Sequence, residues 1–504
     1  MSEVSSDLEK IQSFKGKYPR QLWHLFFSEM WERFSFYGMR GMLVVFMIGQ
    51  LGYDKVEANL QYGASQSFVY AFTFIGGLLA DKILGYRRSL YWGGLLMIIG
   101  SIVLAMDPKQ FFFIGIGFNV VGTAFFKPNI SSIVGRLYKD GDHRTDAGFS
   151  LFYAGVNLGA FIGGYLCVSI GQRELWAKYV PQGLEWNIAF GLAAIVMVIS
   201  LLWFTRTQKT LGSIGNSPLV HLEKRKRNLY ELLTYGGSVV LIPIVIVMVS
   251  QTVYTDWFMR IIGPASLLYL FYEMRNYNWE VNKKLVAALL FMIFSIFFWA
   301  FFEQSGGSLS IFADNNLTNN ILGLELAPNG VNNSANSLFV IVFAAPLGIL
   351  WLWMNKRKIE PNTIVKFGLA FLFLAAGFYI FFYTRAFVDA NGVTSLGVFT
   401  FAWFVITLGE LCLSPIGMSV MTKLSPYKLQ AVVMGMWFLA SAYGQYFAGL
   451  LGANIAAASG DASNSEAFLV YTEGYKQLAL YGLIIGVLII LISPIMKKLM
   501  GGVK

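Results

Sequence analysis

Apolar residues in this chain come in long runs rather than at the spacing of a soluble core. Phe111 to Val121 is one such run, and Leu478 to Met496 is another. A helix needs about 20 apolar residues to cross a bilayer. The pattern predicts roughly fourteen such spans. Six come first, at about 22–50, 60–80, 88–106, 111–137, 146–171 and 184–204. A polar linker, Arg206 to Asn228, follows and contains the run Lys224-Arg225-Lys226-Arg227. Two spans at about 229–253 and 257–274 come next, and six more complete the chain, at about 285–313, 334–354, 363–384, 396–422, 429–457 and 475–496. The expected fold class is an all-α polytopic membrane protein.

Composition agrees. The 504 residues are 56% hydrophobic and only 13% charged, about half the charge of a soluble domain. A cleavable signal peptide is not expected, because the first apolar stretch carries Glu29, Glu32 and Arg33. The two cysteines, Cys167 and Cys412, lie in apolar stretches and do not suggest a disulfide framework. The net charge of +10 could point to nucleic acid. Its distribution argues otherwise: with a cytoplasmic N-terminus, roughly 28 Lys/Arg fall inside, about 7 outside and about three in the membrane. The basic excess is therefore a topology signal and predicts a multi-pass inner (cytoplasmic) membrane protein with both termini cytoplasmic. The expected division is a cytoplasmic N-terminus (1–21), a six-helix bundle (22–205), a basic linker (206–228), two additional helices (229–275), a second six-helix bundle (276–498) and a cytoplasmic tail (499–504).

Six plus two plus six spans resemble the major facilitator superfamily, whose substrate site lies near the midplane between two six-helix halves. A proline interrupts the fourth span (Lys127-Pro128) and its counterpart in the second half (Ser414-Pro415). Between the second and third spans, Gly76-Gly77-Leu78-Leu79-Ala80-Asp81-Lys82-Ile83-Leu84-Gly85-Tyr86-Arg87-Arg88 resembles the superfamily's signature loop.

A charge at the bilayer centre costs at least about 2.5–3.5 kcal/mol, so intramembrane charges mark paired or functional positions. The candidates are Glu29, Glu32, Arg33, Arg40, Lys127, Glu303 and Glu410. Glu29, Glu32 and Arg33 stand at i, i+3 and i+4 and share a helix face, with Arg40 two turns beyond. Two carboxylates beside one arginine can exchange a salt bridge for a proton; a static ion network is the plainer reading. Lys127 in one half and Glu410 in the other fit a zwitterionic ligand, or a salt bridge that breaks during transport. Glu303 follows Trp299 by one turn, which suggests a wet site, and Asp314 near the outer end of that span reads as a gate partner or helix-end residue. His24, His143 and His221 all fall outside the membrane centre.

These residues resemble the proton-coupled oligopeptide transporters. Glu29-Met30-Trp31-Glu32-Arg33-Phe34-Ser35-Phe36-Tyr37 looks like the family's ExxERFxYY motif. Phe126-Lys127-Pro128-Asn129, Asp146 to Asn157 and Glu410 to Pro415 resemble its motifs in the fourth, fifth and tenth helices. The resemblance implies a symporter that imports di- and tripeptides with protons by alternating access. It implies proton coupling by Glu29, Glu32, Arg33 and Glu303, with Arg40 and Glu303 as a proton-sensitive pair. Lys127 and Arg40 would hold the peptide carboxylate. Glu410, Asn157 and Asn336 would hold the amine, and Tyr37, Tyr70, Trp299 and Trp437 would form side-chain pockets. Phe36 departs from the motif, standing where the family has a tyrosine. The extra helix pair resembles prokaryotic members.

Proton antiport of drugs is the principal alternative; nitrate or amino-acid uptake is a variant. Lys127 and Arg40 favour an anionic group on the ligand, and Glu410 favours an amine. A membrane enzyme is disfavoured by the lack of HExxH or paired-His spacing. No cofactor is expected beyond protons as the coupling ion, and no metal. The expected partners are peptides, protons and lipid, with function as a monomer.

Overall fold

Once backbone amides leave water they must find partners within their own segment, and each apolar run does so as a helix. The computed structural model of this protein describes residues 8–139, 141–173, 175–460 and 462–502. The ends of the expected N-terminal segment and tail lie outside the described residues, as do the side chains of Ser414 and Pro415, so the second proline interruption is not described. Fourteen long helices follow one another: α1 (Arg20–Leu51), α2 (Lys55–Leu79), α3 (Tyr86–Met106), α4 (Phe112–Gly135), α5 (Thr145–Gly171), α6 (Glu185–Thr207), α7 (Lys224–Ser250), α8 (Thr252–Met274), α9 (Trp279–Phe302), α10 (Pro328–Lys356), α11 (Thr363–Tyr383), α12 (Leu396–Leu424), α13 (Gln430–Ser459) and α14 (Asn464–Leu499). Among the described residues, eleven helical segments are long and apolar enough to cross a membrane. Helices α4, α8 and α13 are as long, but polar residues such as Lys127, Asp256, Arg260 and Gln445 dilute them.

Several helices depart from the hydropathy pattern, among them α10, which starts at Pro328 rather than near 334. The ninth span breaks: α9 ends at Phe302, a 3₁₀ turn covers Glu303–Gly306, and a nine-residue helix resumes at Ser308–Asn316. Paired glycines permit the break, and the Tyr62 hydroxyl occupies the space a Cβ on Gly306 would need. Helix α14 starts at Asn464, well before its apolar run, because Ser463 and Glu466 form a reciprocal capping box there. Helix α7 starts at Lys224, so the basic run is helical.

The chain divides into two compact units: Met1–Met42 with Phe68–Gln251, and Leu43–Ser67 with Thr252–Lys504. In the first, α3 packs on α4 and α6, and α7 lies along α4. Ile246 of α7 fills the space beside Gly117, and the Trp92 indole donates to Ser238 Oγ at 2.8 Å. Helix α5 meets α1 through Gly155, Gly159 and Gly163. A Cβ on Gly159 would strike the Met30 carbonyl, and one on Gly163 the Phe34 carbonyl. Small residues at four-residue spacing are what let helix backbones approach in lipid. In the second unit, α11 packs on α12 and α14, α9 on α13, and α10 on α12. Helix α8 joins α13, where the Tyr446 hydroxyl donates to Asp256 at 2.7 Å and the Tyr443 hydroxyl to the Met259 carbonyl.

Candidate functional site

The first unit buries a compact ion set. Helical spacing puts Glu29, Glu32 and Arg33 on one face of α1, and all three are buried, at 4%, 0% and 1% exposed. The Arg33 guanidinium engages both oxygens of Glu32, Nη2 at 2.5 Å from Oε1 and Nε at still closer range to Oε2. Its Nε also lies 3.2 Å from Glu29 Oε1. One guanidinium thus serves two carboxylates. The second Glu29 oxygen, Oε2, is buried with no hydrogen-bond donor among the described residues. The Arg33 guanidinium stands 5.0 Å over the Phe36 ring, and the Phe36 and Tyr37 rings meet edge to face.

Two further cations join this set. Lys127, one residue before Pro128 in α4, places its ammonium 4.1 Å over the Tyr70 ring. It is within electrostatic reach of Arg33, Tyr37, Glu32 and Glu29. Arg40 lies 5.6 Å over the Tyr37 ring. An ammonium or guanidinium over an aromatic ring is attracted by its electron-rich face. Asn157 is buried on α5, and its amide donates to the Tyr153 carbonyl at 2.9 Å.

The second unit holds the other candidates. Glu303 is 3% exposed and opens the 3₁₀ turn where α9 breaks. Trp299, one turn earlier, stacks edge-on against Phe298 and Phe302, and its Cβ faces Gly444 of α13. Glu410 is buried on α12, where its Oε2 accepts a 2.7 Å hydrogen bond from the Asn336 amide of α10. The same amide group donates to Thr407 Oγ1 at 3.1 Å. Trp437 of α13 covers Gly417. Asp314 is exposed near the end of the short helix after the break.

Sequence reasoning named Asn336 but missed its polar neighbours Asn329, Asn332 and Asn333. Asn329, Asn332, Asn333 and Asn336 stand at i, i+3, i+4 and i+7, a single face of α10. Asn329 Oδ1 accepts from Ser310 (2.8 Å) and Asn333 (3.0 Å), and Asn332 Nδ2 donates to the Ser305 carbonyl at 2.7 Å. An asparagine stripe at helical spacing leading into an apolar run is a legible signal. The GxxxG spacing on α5 was legible in the same way.

On the loops, Arg144 forks onto Asp142, with Nη2 2.7 Å from Oδ2, and donates to the carbonyls of Phe14 and Gly16. The Arg144 side-chain hydrogen bonds hold the Asp142 carboxyl down at about 2. Burial pushes the Tyr138 phenol up to about 12, with Asp142 adding to it. In the signature loop, Tyr86 donates to Asp81 and accepts from Arg136 Nη2 at 2.8 Å. Among the described residues no group of His, Cys, Asp and Glu is arranged to hold a metal ion.

Comparison with known proteins adds a lineage. The profile of the POT family matches residues 87–467. The chain is 33% identical to the peptide transporter YePEPT of Yersinia enterocolitica, over 90% of this chain and 91% of that protein. It is 32% identical to the uncharacterized transporter YclF of Bacillus subtilis, over 96% of each. The crystal structure of a POT family transporter in complex with a thioalcohol-conjugated peptide is similar at a TM-score of 0.79 and 30% identity, covering 96% of this chain and 98% of that one.

Proposed function

The chain belongs to the POT family, and from that premise we propose that it imports di- and tripeptides by proton symport. It is a multi-pass membrane transporter with the major facilitator fold. We place it in the inner membrane with both termini cytoplasmic, as the distribution of Lys and Arg supports. The division into bundles at 22–205 and 276–498, with two additional helices at 229–275, is part of this reading.

Glu29 carries the proton argument. An ionised carboxylate with one bare buried oxygen is costly, and a proton at Oε2 offsets that cost while loosening the hold of Arg33. Glu32, sharing the same guanidinium, then takes up the released charge. Glu29, Glu32 and Arg33 therefore form the coupling set in this reading, with Glu303 responding in the second unit. Arg40 and Lys127 take the peptide carboxylate, and Glu410, Asn336 and Asn157 take the amine. Tyr37, Tyr70, Trp299 and Trp437 flank the side chains. The relatives' peptide-transport names and the charge of each set support these roles.

Symport is energetically sufficient. A proton crossing ~100 mV supplies roughly 2.3 kcal/mol, and one pH unit adds about 1.4 kcal/mol. Together they allow accumulation of a neutral zwitterion by a few hundredfold at one proton per peptide. The test is uptake of radiolabelled dialanine into proteoliposomes, with and without an inward proton gradient. Concentrative uptake should require the gradient and vanish with a proton ionophore. Accumulation that survives the ionophore would overturn proton coupling.

A further inference from the structure

The turn that carries Glu303 and the carboxylate of Glu410 belong to different helices of the second unit, yet hydrogen bonds connect them without a gap. Where α9 breaks, the Ser305 carbonyl accepts from Asn332 Nδ2 at 2.7 Å. Asn332 Oδ1 accepts from the Trp403 indole at 3.2 Å. The Trp403 carbonyl accepts from the Thr407 hydroxyl at 2.7 Å. Thr407 Oγ1 accepts from the Asn336 amide at 3.1 Å, and that amide also holds Glu410 at 2.7 Å.

Every middle member is buried: Asn332 and Trp403 are 1% exposed and Thr407 is 0%. Asn332 Nδ2 also donates to Asn329 Oδ1 at 3.3 Å, and because a buried polar group left unpaired is costly, movement of one member is felt by the next. The Trp403 ring also packs edge-on against Phe302, the residue before Glu303, at 5.8 Å. The turn is therefore gripped through both a hydrogen bond and a ring.

We propose that this chain of bonds makes Asn332, Trp403 and Thr407 positioning residues that tie the Glu303 turn to the Glu410–Asn336 pair. None of the three touches the peptide in the reading above. They set the place of Glu410 according to whether the turn is intact, and so link the state of the α9 break to amine binding. The proposal rests on the peptide-symport reading for its functional consequence and on the bonds alone for its physical content.

Two readouts separate these layers. The first is hydrogen exchange at residues 303–307 in peptide-free protein. Thr407→Val removes one hydroxyl with little change in shape, at a residue that bonds neither Ser305 nor Glu303. The chain requires exchange at the turn to speed by about threefold to tenfold in Thr407→Val, and by at least as much in Trp403→Phe and Asn332→Ala. The second is dialanine affinity, which should weaken by about threefold to tenfold in Trp403→Phe. Wild-type exchange at the turn in folded Thr407→Val overturns the proposal, even where dialanine binds normally. Faster exchange in a protein that neither binds nor carries dialanine upholds the chain of bonds and defeats the peptide reading instead.

Discussion

The two units solve the problem of a buried carboxylate in different ways. In the first, Glu29 and Glu32 meet charge with charge, sharing the Arg33 guanidinium beside Lys127. In the second, Glu410 accepts from the neutral Asn336 amide, which Thr407 steadies in turn. Ion sets answer strongly to the gain or loss of a proton, because each partner's cost depends on the other's charge. Amide and hydroxyl networks hold direction with little dependence on protonation. The contrast suits coupling in the first unit and orientation in the second.

The sharpest way to break this contrast is Lys127→Ala. It removes a half-buried cation and should lower peptide uptake by about 100-fold while the protein stays folded in detergent. Normal uptake would refute the role of Lys127, and loss of the fold would mark the lysine as structural. Next comes Glu32→Gln, which keeps shape but fixes a neutral state. Proton-driven accumulation should be lost, whereas counterflow of labelled for unlabelled peptide should persist. Arg40→Ala should damage both modes. If Glu32→Gln accumulates peptide normally, the first unit is an inert ion network and the proton site moves to Glu303.

Asn336→Ala tests the orienting unit. It strips one charge-assisted hydrogen bond from Glu410 and should raise the Kd for dialanine by about tenfold. The pH dependence of uptake should stay put, and a shifted pH profile would dissolve the distinction between the units. The smallest effect belongs to the loop pair Asp142–Arg144. Hydrogen bonds from Arg144 depress Asp142 from its ordinary 3.8 to about 2. A depressed carboxyl contributes stability that is present above pH 3.8 and lost as pH falls through about 2. Asp142→Asn should therefore leave the pH dependence of thermal unfolding unchanged from pH 5 to 8 and flatten only its acid limb. A difference confined to neutral pH would exclude this assignment.

Much was legible from residue order. Lipid permits so few backbone solutions that long apolar runs almost dictate helices, and thirteen of the fourteen expected spans correspond to single uninterrupted helices. The ion face of α1 was equally legible, since i, i+3 and i+4 are neighbours on any helix. The asparagine stripe of α10 was written in the same code, but Asn329, Asn332 and Asn333 stand ahead of the apolar run expected at 334–354, and only Asn336 was named.

Residue order could not show the break at Glu303–Gly306, because hydropathy averages across it and two glycines permit a kink without requiring one. Folding decides it, by seating the Tyr62 hydroxyl against Gly306 and giving the Ser305 carbonyl to Asn332. Nor does spacing reveal that one oxygen of Glu29 is left bare, or that Asn336 reaches Glu410 across 74 residues of chain. Helix formation is local and follows from short-range periodicity. The choice of partner for each buried polar atom is made by side chains distant in sequence, after the helices have packed.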